Sequence, residues 1–212
     1  MRRENDADTG PRDTKLSAEE MKKMQELLNQ ECDFRLSDSV MQMFLSMMDV
    51  MYVRRGESIF ETGVVNRDIY VVMDGIFSYN YLSGSDDRCW GFALPGTMMY
   101  SSHSFYCGSP SFYEVEACCD SRVLHCRKSD FDRMIRESHE FAQWGFCMAH
   151  CQLYYFEMKN SVINGKASER FKSLVSARPE ILEKVPMKTI ASYLGITQQY
   201  LSNLKKKFLK NN

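Results

Sequence analysis

The chain has 212 residues, a formal net charge of −1 and 44% hydrophobic residues, enough to fill one large or two small domains. This composition excludes a disordered protein, and the absence of a signal peptide or a disulfide-like spacing of the eight cysteines predicts free thiols and a cytoplasmic location. The apolar stretch 141–163 contains Gln143, His150 and Glu157, so we expect no membrane span and no membrane partner. Residues 160–212 hold ten Lys and Arg against three Asp and Glu, so only this quarter is suited to a polyanion.

The N-terminal part predicts a disordered start followed by two helices. Residues 1–15 are charged and include Gly and Pro, which favours disorder. Ser17 and Glu20 have the spacing of a capping box, so a helix is expected to begin there. After Ser37, a second amphipathic helix is indicated by apolar residues at helical spacing: Val40, Met43, Phe44, Met47 and Met48.

Between Met51 and Cys126 the pattern changes to short strands. Aromatic and β-branched runs such as "DIYVVMDGIFSYNYL" and "SRVLHC" are separated by Gly, Pro, Asp and Ser. No period of 20 to 50 residues indicates a solenoid. The segment therefore predicts an all-β sandwich or roll.

Ser129 and Asp132 are predicted to open a helix. A long amphipathic helix is predicted to follow at about residues 139–163. The long helix carries two apolar stripes, so one can pack on its own barrel and the other on a second copy. We predict a homodimer through the first stripe; in the alternative, one core encloses the helix. The first stripe is Phe141, Trp144, Met148, Cys151, Tyr155, Met158 and Val162, and the second is Phe146, Ala149, Leu153, Phe156 and Ile163.

The stretch "IASYLGITQQYLSNLKKKF", residues 190–208, predicts two short helices that cross through a tight turn. Ala191 leaves room for the crossing, Gly195 suits the turn and Thr197 can cap the second helix. The inward stripe of that helix is Leu201, Leu204 and Phe208, which leaves a polar, amide-rich and positive outer face. Such a face suits the DNA major groove, and the alternative is a solvated helical hairpin. A break near Asn164 and Gly165 separates this part from the long helix.

In this order, the elements resemble the CRP/FNR (catabolite activator and fumarate-nitrate regulator) family of bacterial transcription factors. The most specific motifs are "RRGESIFETG", "IYVVMDGIFSYNY", "ALPG" and "VPMKTIASYLGITQQYLSNLKKK"; the last, with "ASERFKSLV" before it, is especially similar to members from Bacteroidota. The resemblance implies an α+β fold: an N-terminal cyclic-nucleotide-binding-like β-roll (jelly roll) with flanking helices, a long dimerisation helix and a C-terminal helix-turn-helix domain. The roll domain would span residues 16–163 and the DNA-binding domain residues 166–212.

The resemblance also implies a homodimeric regulator that binds double-stranded DNA at a palindromic operator, with RNA polymerase as a further candidate partner. Thr197 would meet phosphate, while Gln198, Gln199 and Asn203 would approach base edges. Lys205, Lys206 and Lys207 lie nearer the helix end and can reach phosphates. With Ser202 on the outer face, the predicted DNA-binding residues are Thr197, Gln198, Gln199, Ser202, Asn203, Lys205, Lys206 and Lys207.

The chain departs from family members that bind cyclic AMP. They carry a Gly-Glu pair and an Arg-Ser or Arg-Thr pair, where this chain has Gly96-Thr97 and Ser111-Phe112. Without a cationic partner, a buried phosphate would be costly, so we expect no binding of cyclic AMP. An unknown, partly apolar effector could use Tyr100, His103, Phe105, Tyr106, Phe112 and Tyr113; in the alternative, these side chains fill the roll and no effector exists.

We expect no cofactor, metal site or catalytic residue. The chain has no His-x-His motif of the kind that holds a metal in cupin enzymes, and its cysteines lack the C-x₂-C spacing of iron–sulfur clusters. No nucleophile and base are recognisable together. The competing interpretation is a cupin-like, small-molecule-binding roll or enzyme whose helix-turn-helix makes protein contacts.

Overall fold

The N-terminal helices begin where the capping signals place them. The computed structural model describes residues 15–83, 86–163 and 166–210, so the predicted disordered start lies outside the described residues except for Lys15, which forms an ion pair of 2.9 Å with Asp49. Helix α1 (Ala18–Glu31) is capped by Ser17, whose hydroxyl accepts a 3.3 Å hydrogen bond from the Glu20 N–H; the Glu20 carboxylate accepts one of 3.0 Å from the Ser17 N–H. The predicted capping box is therefore confirmed. Helix α2 follows as Asp38–Ser46.

Two four-stranded antiparallel sheets form the roll that the strand pattern predicts. The strand order is β1-β8-β3-β6 in the first sheet and β2-β7-β4-β5 in the second. A short helix, α3 (Ser102–Cys107), lies between β6 and β7. The strands are β1 (Asp49–Val53), β2 (Ser58–Phe60), β3 (Ile69–Asp74), β4 (Phe77–Ser83), β5 (Asp86–Ala93), β6 (Met98–Met99), β7 (Glu114–Ala117) and β8 (Ser121–Cys126).

Strand β3 separates two hydrophobic cores. Tyr70 and Val72 pack between the sheets, while Val71 and Met73 pack against the helices on the outer face of the first sheet. Side chains of a strand alternate between its faces, so a strand covered on both faces is apolar at every position. This explains why "IYVVM" is a continuous apolar run.

Gly75 occupies the turn between β3 and β4, where no other residue fits. Its φ is 94°, in the region that favours glycine, and a Cβ at this position would lie 1.9 Å from the Ser121 hydroxyl oxygen. The glycine thus lets the β3–β4 turn pack directly on the start of β8.

Two helices follow the roll. Helix α4 spans Lys128–Glu137 with Arg127 as its N-cap, so the predicted start at Ser129 is one residue late. Helix α5 is one continuous helix, His139–Ile163, as the spacing predicts. Its N-terminal half packs through Phe141 and Trp144 on Phe44 of α2, with ring centroids 4.9 and 5.5 Å from Phe44.

The last four helices form a unit with its own core. Ile190 and Leu201 are among its fully buried side chains, and Ile76 and Cys118 of the roll belong to the same cluster. The unit therefore packs on the roll. The predicted break at Asn164 and Gly165 lies outside the described residues. The helices are α6 (Ala167–Ala177), α7 (Ile181–Lys184), α8 (Met187–Leu194) and α9 (Gln198–Lys210).

Candidate nucleic-acid interface and roll cavity

Helices α8 and α9 cross through a three-residue turn whose geometry follows from its sequence. Gly195 ends α8 with φ 63°, and the Ile196 N–H donates to the Ala191 carbonyl at 3.0 Å, which closes the helix end. The Thr197 hydroxyl accepts a 3.2 Å hydrogen bond from the Tyr200 N–H and so caps α9. Ala191 and Leu201 are buried at the crossing. The crossing, the turn and the cap predicted from the sequence are therefore confirmed.

The outer face of α9 presents most of the predicted DNA-binding side chains to solvent. Thr197, Gln198, Gln199, Asn203, Lys206 and Lys207 are exposed, and Ser202 is half-buried. Lys205 differs, because it is half-buried and its Nζ donates to the Leu182 carbonyl at 3.5 Å. Lys205 thus points back toward its own unit in this structure, and its assignment as a phosphate contact stays a prediction.

Two further polar side chains accompany this face. Tyr200 is 46% exposed in the first turn of α9, and Lys188 is exposed in the first turn of α8. The signal for Tyr200 was present in the sequence, since an aromatic residue that falls outside the stripe Leu201, Leu204 and Phe208 must face outward. Both lie in the first turn of their helices, where free backbone N–H groups favour anions.

The N-terminal part of the first stripe of α5 lies in the core of its own chain, where a partner copy was predicted. Phe141, Trp144 and Met148 are buried in the core of their own chain, with Cys151 packed against it, so a second copy cannot reach the first three. Their assignment to a dimer interface is wrong, because α2, α4 and the first sheet already cover that side. Tyr155 is exposed, and the side chains of Met158 and Val162 are not described.

The exposed apolar surface of α5 includes two residues of the second stripe, Phe146 and Leu153. Phe146 is 66% and Leu153 56% exposed, and Tyr154 and Tyr155 extend this surface toward the C-terminal half. Large apolar side chains in a row on a helix are characteristic of a contact surface rather than of a solvated face. We call Phe146, Leu153, Tyr154 and Tyr155 the α5 outer face.

A cavity of about 440 Å³ opens between the second sheet, α5 and the C-terminal unit. Its volume lies in the range of small-molecule sites. The Trp90 ring packs between Tyr79 and Tyr81 with centroid distances of 4.7 and 5.7 Å, and Tyr113 meets it edge-on at 5.3 Å. The remaining aromatic side chains of the lining are Phe92, Tyr100, Tyr155 and Tyr193.

Of the six side chains predicted to line an effector pocket, Tyr100 and Tyr113 line this cavity. The other four are corrected: Phe105 fills the core beside Phe131, Tyr106 is 68% exposed, and Phe112 stacks on His103 at the surface, with ring centroids 4.3 Å apart. Tyr79, Tyr81 and Trp90 were missed. The signal for the two tyrosines was the "YNY" alternation in β4, which places Tyr79 and Tyr81 on one face of the sheet.

Burial sets the protonation of the groups that line the cavity. It raises the pKa of the Tyr79 and Tyr113 phenols well above the usual value, so both remain neutral. The Tyr113 hydroxyl donates to the Tyr100 carbonyl at 3.0 Å. Burial also raises the pKa of Glu31, against the opposing effect of Arg178. Among the described lining residues, Arg178 is the single cation.

Residues 50–138 match the family model of the cyclic nucleotide-binding domain. The roll has the fold of that domain. None of the curated proteins compared matches the chain. Among solved structures, FixK2 from Bradyrhizobium japonicum is similar with a TM-score of 0.65 and 19% identity over 77% of this chain and 85% of that one. The catabolite activator protein of Thermus thermophilus is similar with a TM-score of 0.54 and 16% identity over 87% of each chain.

A cyclic nucleotide-binding domain from Methylobacillus flagellatus is also similar, with a TM-score of 0.60 and 9% identity over 68% of this chain and 82% of that one. FixK2 and the catabolite activator protein are regulators of the CRP/FNR type, so the roll with flanking helices implied by the resemblance is confirmed as the fold. The similarity to Bacteroidota members stays a prediction.

Within the described ranges, no helix is long and apolar enough to cross a membrane. The same ranges contain no group of three or more His, Cys, Asp and Glu side chains that could hold a metal ion.

Proposed function

We propose that the protein is a homodimeric transcription regulator that binds a palindromic DNA operator through a helix-turn-helix formed by α8 and α9. The observation that carries this proposal is the outer face of α9. Gln198, Gln199 and Asn203 are exposed there on a helix held by a buried crossing and a capped N-terminus. Amide side chains can bridge N6 and N7 of adenine in the major groove, so a rigid helix with this face can read sequence.

The charge distribution supports the same function. The positive surplus lies in residues 160–212, while the rest of the chain is acidic. Lys206 and Lys207 are exposed at the C-terminal end of α9, where long side chains can reach the sugar-phosphate backbone. The amides would specify the site and the lysines would supply salt-dependent affinity.

The α5 outer face supports dimerisation. Two parallel copies of α5 would bury Phe146 and Leu153, which are more than half exposed in the single chain. A two-fold dimer would present two copies of α9 to half-sites about 34 Å apart, one helical turn of DNA. The operator would then be palindromic.

We further propose that the roll is a sensor that does not bind cyclic AMP. Its cavity has no cation on the roll itself among the described lining residues, because Arg178 belongs to the C-terminal unit. Ser111, at the position of the phosphate-binding arginine of the family, is buried and its hydroxyl donates to the Tyr113 carbonyl at 2.7 Å. A cyclic phosphate would find no charge partner inside the roll.

Selection of bound fragments from random duplex DNA by the full-length protein, followed by fluorescence anisotropy, tests the proposal. We expect a palindromic consensus that is bound at least 10³-fold more tightly than random duplex, a specificity ratio within the order of magnitude usual for such regulators. Equal affinity for the selected and the random duplex, or no binding at low salt, would contradict it.

A further inference from the structure

Three parts of the molecule line the cavity. Glu31 comes from the end of α1, Trp90 and Tyr113 from the second sheet, and Arg178 from the C-terminal unit just after α6. A molecule in this cavity would therefore touch the roll and the proposed DNA-binding unit at the same time.

Two opposite charges, Glu31 and Arg178, line the cavity and interact electrostatically with each other. Within the described part of the chain, neither the Glu31 carboxylate nor the Arg178 guanidinium has a hydrogen bond or an ion pair, although each feels the charge of the other. Gly96 lets α1 approach the turn after β5, because a Cβ there would lie 3.2 Å from the Leu27 Cβ and 3.3 Å from the Leu27 carbonyl oxygen. Glu31 is half-buried and Arg178 is exposed. A half-buried carboxylate is costly unless a cation pairs with it, and the exposed guanidinium is available to an anion, so this arrangement suits a ligand that carries both signs.

The rest of the lining is suited to an aromatic ring. Tyr79, Tyr81 and Trp90 form a stacked cluster on one wall, and Tyr113 meets it edge-on. A flat, apolar group gains both burial and ring contacts on such a wall. An ammonium group near these rings would gain a cation–π contribution as well.

We propose that this cavity binds a zwitterionic aromatic α-amino acid, with its ammonium group at Glu31, its carboxylate at Arg178 and its ring against the Tyr79, Tyr81 and Trp90 wall. The proposal rests on the proposed function for its consequence: a ligand held by α1 and by the C-terminal unit fixes the position of α9 relative to the roll and so controls DNA binding. A cyclic nucleotide lacks the positive group that Glu31 would need.

Isothermal titration of the full-length protein with L-tryptophan, L-tyrosine and L-phenylalanine tests the ligand class, with tryptamine and indole-3-propionate as probes that lack the carboxylate and the ammonium group. We expect at least one of the three amino acids to bind. Where that amino acid is tryptophan, each single-charge probe should bind at least about tenfold more weakly; tyramine and 3-phenylpropionate serve in the same way for the other two. Absence of binding by all three at millimolar concentration would overturn the proposal, as would equal affinity for a single-charge probe.

Two variants localise the contacts. Glu31→Gln should weaken binding of the amino acid but leave the affinity for indole-3-propionate unchanged. Arg178→Gln should weaken binding of the amino acid but leave the affinity for tryptamine unchanged. The matched controls are Glu26→Gln on the exposed face of α1 and Lys172→Gln on the exposed face of α6. Equal losses in variants and controls would overturn the assignment.

DNA binding is measured separately by anisotropy on the same samples. Loss of amino-acid binding with specific DNA binding intact would refute this inference alone. Charge-selective amino-acid binding by a protein with no affinity for DNA would support the ligand class and refute the proposed function.

Discussion

The Ser192 hydroxyl accepts a 3.0 Å hydrogen bond from the backbone N–H of Cys89, which attaches helix α8 directly to strand β5. Beside it, the rings of Phe92 and Tyr193 lie 5.0 Å apart. The helix that supports α9 is therefore docked on the strand that also forms a wall of the cavity. A change in the cavity has a short physical route to the proposed DNA-reading helix.

Replacing Ser192 by Ala should weaken this docking. The change leaves a partly buried N–H of β5 without its acceptor, and we expect a loss of about 1–3 kcal/mol in the free energy of unfolding. Urea denaturation of the full chain measures it, with Ser173→Ala on the exposed face of α6 as the control. Equal stability of both variants would mean that the hydrogen bond does not hold α8 on the roll.

Thr197→Ala should destabilise α9. It removes the hydroxyl that accepts the Tyr200 N–H, and loss of such a cap costs about 1 kcal/mol. Thr197→Ser keeps the acceptor and should retain the stability of the parent. Circular dichroism during thermal unfolding compares the two, and a serine variant as unstable as the alanine variant would contradict the capping role.

Asn203→Ala and Lys207→Ala should change the affinity for DNA in different ways. Asn203→Ala should cost about 1–3 kcal/mol per half-site on the selected operator and little on random duplex, because a base-specific contact is lost. Lys207→Ala should weaken binding to both the operator and random duplex, and it should flatten the slope of log K against log[salt] by about one unit per lost phosphate contact. Anisotropy across a salt series separates these profiles; identical profiles would show that α9 does not lie in the groove as proposed.

Leu153→Asp should weaken self-association without unfolding the chain. Leu153 is 56% exposed on the α5 outer face, so the charge is tolerated in the monomer but not in an apolar interface. Met43→Asp, at a side chain 55% exposed on α2, is the matched control. Sedimentation velocity at micromolar concentration should show dissociation for Leu153→Asp only.

Trp144→Asp tests whether Trp144 of the first α5 stripe lies in the core of its own chain or in a dimer interface. Trp144 is fully buried in the core of its own chain, so the aspartate should unfold the roll domain rather than simply release a partner. A folded, monomeric Trp144→Asp protein would return the first stripe to the dimer interface. Near-ultraviolet circular dichroism, together with sedimentation, decides between these results.

Glu31→Gln should change how stability depends on pH. Burial raises the pKa of Glu31 in the folded protein, with Arg178 opposing, so the folded state holds this proton more tightly than the unfolded chain. The stability linked to Glu31 is complete below its unfolded pKa and is lost as pH rises through the folded pKa. Glu31→Gln should therefore stabilise the ligand-free protein at about pH 7 and by less at about pH 4. Urea midpoints at both values, with Glu26→Gln as control, test this; a destabilised variant at neutral pH would contradict it.

The local features of this protein were readable from the residues alone. The capping box of Ser17 and Glu20, the glycine turn at Gly195 and the Thr197 cap each depend on neighbours a few positions away, so spacing was enough to predict them. The full length of α5 and the strand character of the roll also followed from periodicity.

Only the tertiary structure decided which surface each periodic element presents. Two equally apolar stripes of α5 have the same period, and the packing of Phe44 against Phe141 and Trp144 determines that the N-terminal part of the first stripe is core. Phe146 and Leu153 of the second stripe are exposed. The lining of the cavity was likewise decided by tertiary packing. Tyr79, Glu31 and Arg178 are far apart in the chain, and they line one cavity because α1, the second sheet and the C-terminal unit pack together there. A sequence specifies which faces are apolar, but long-range packing chooses the partner of each face.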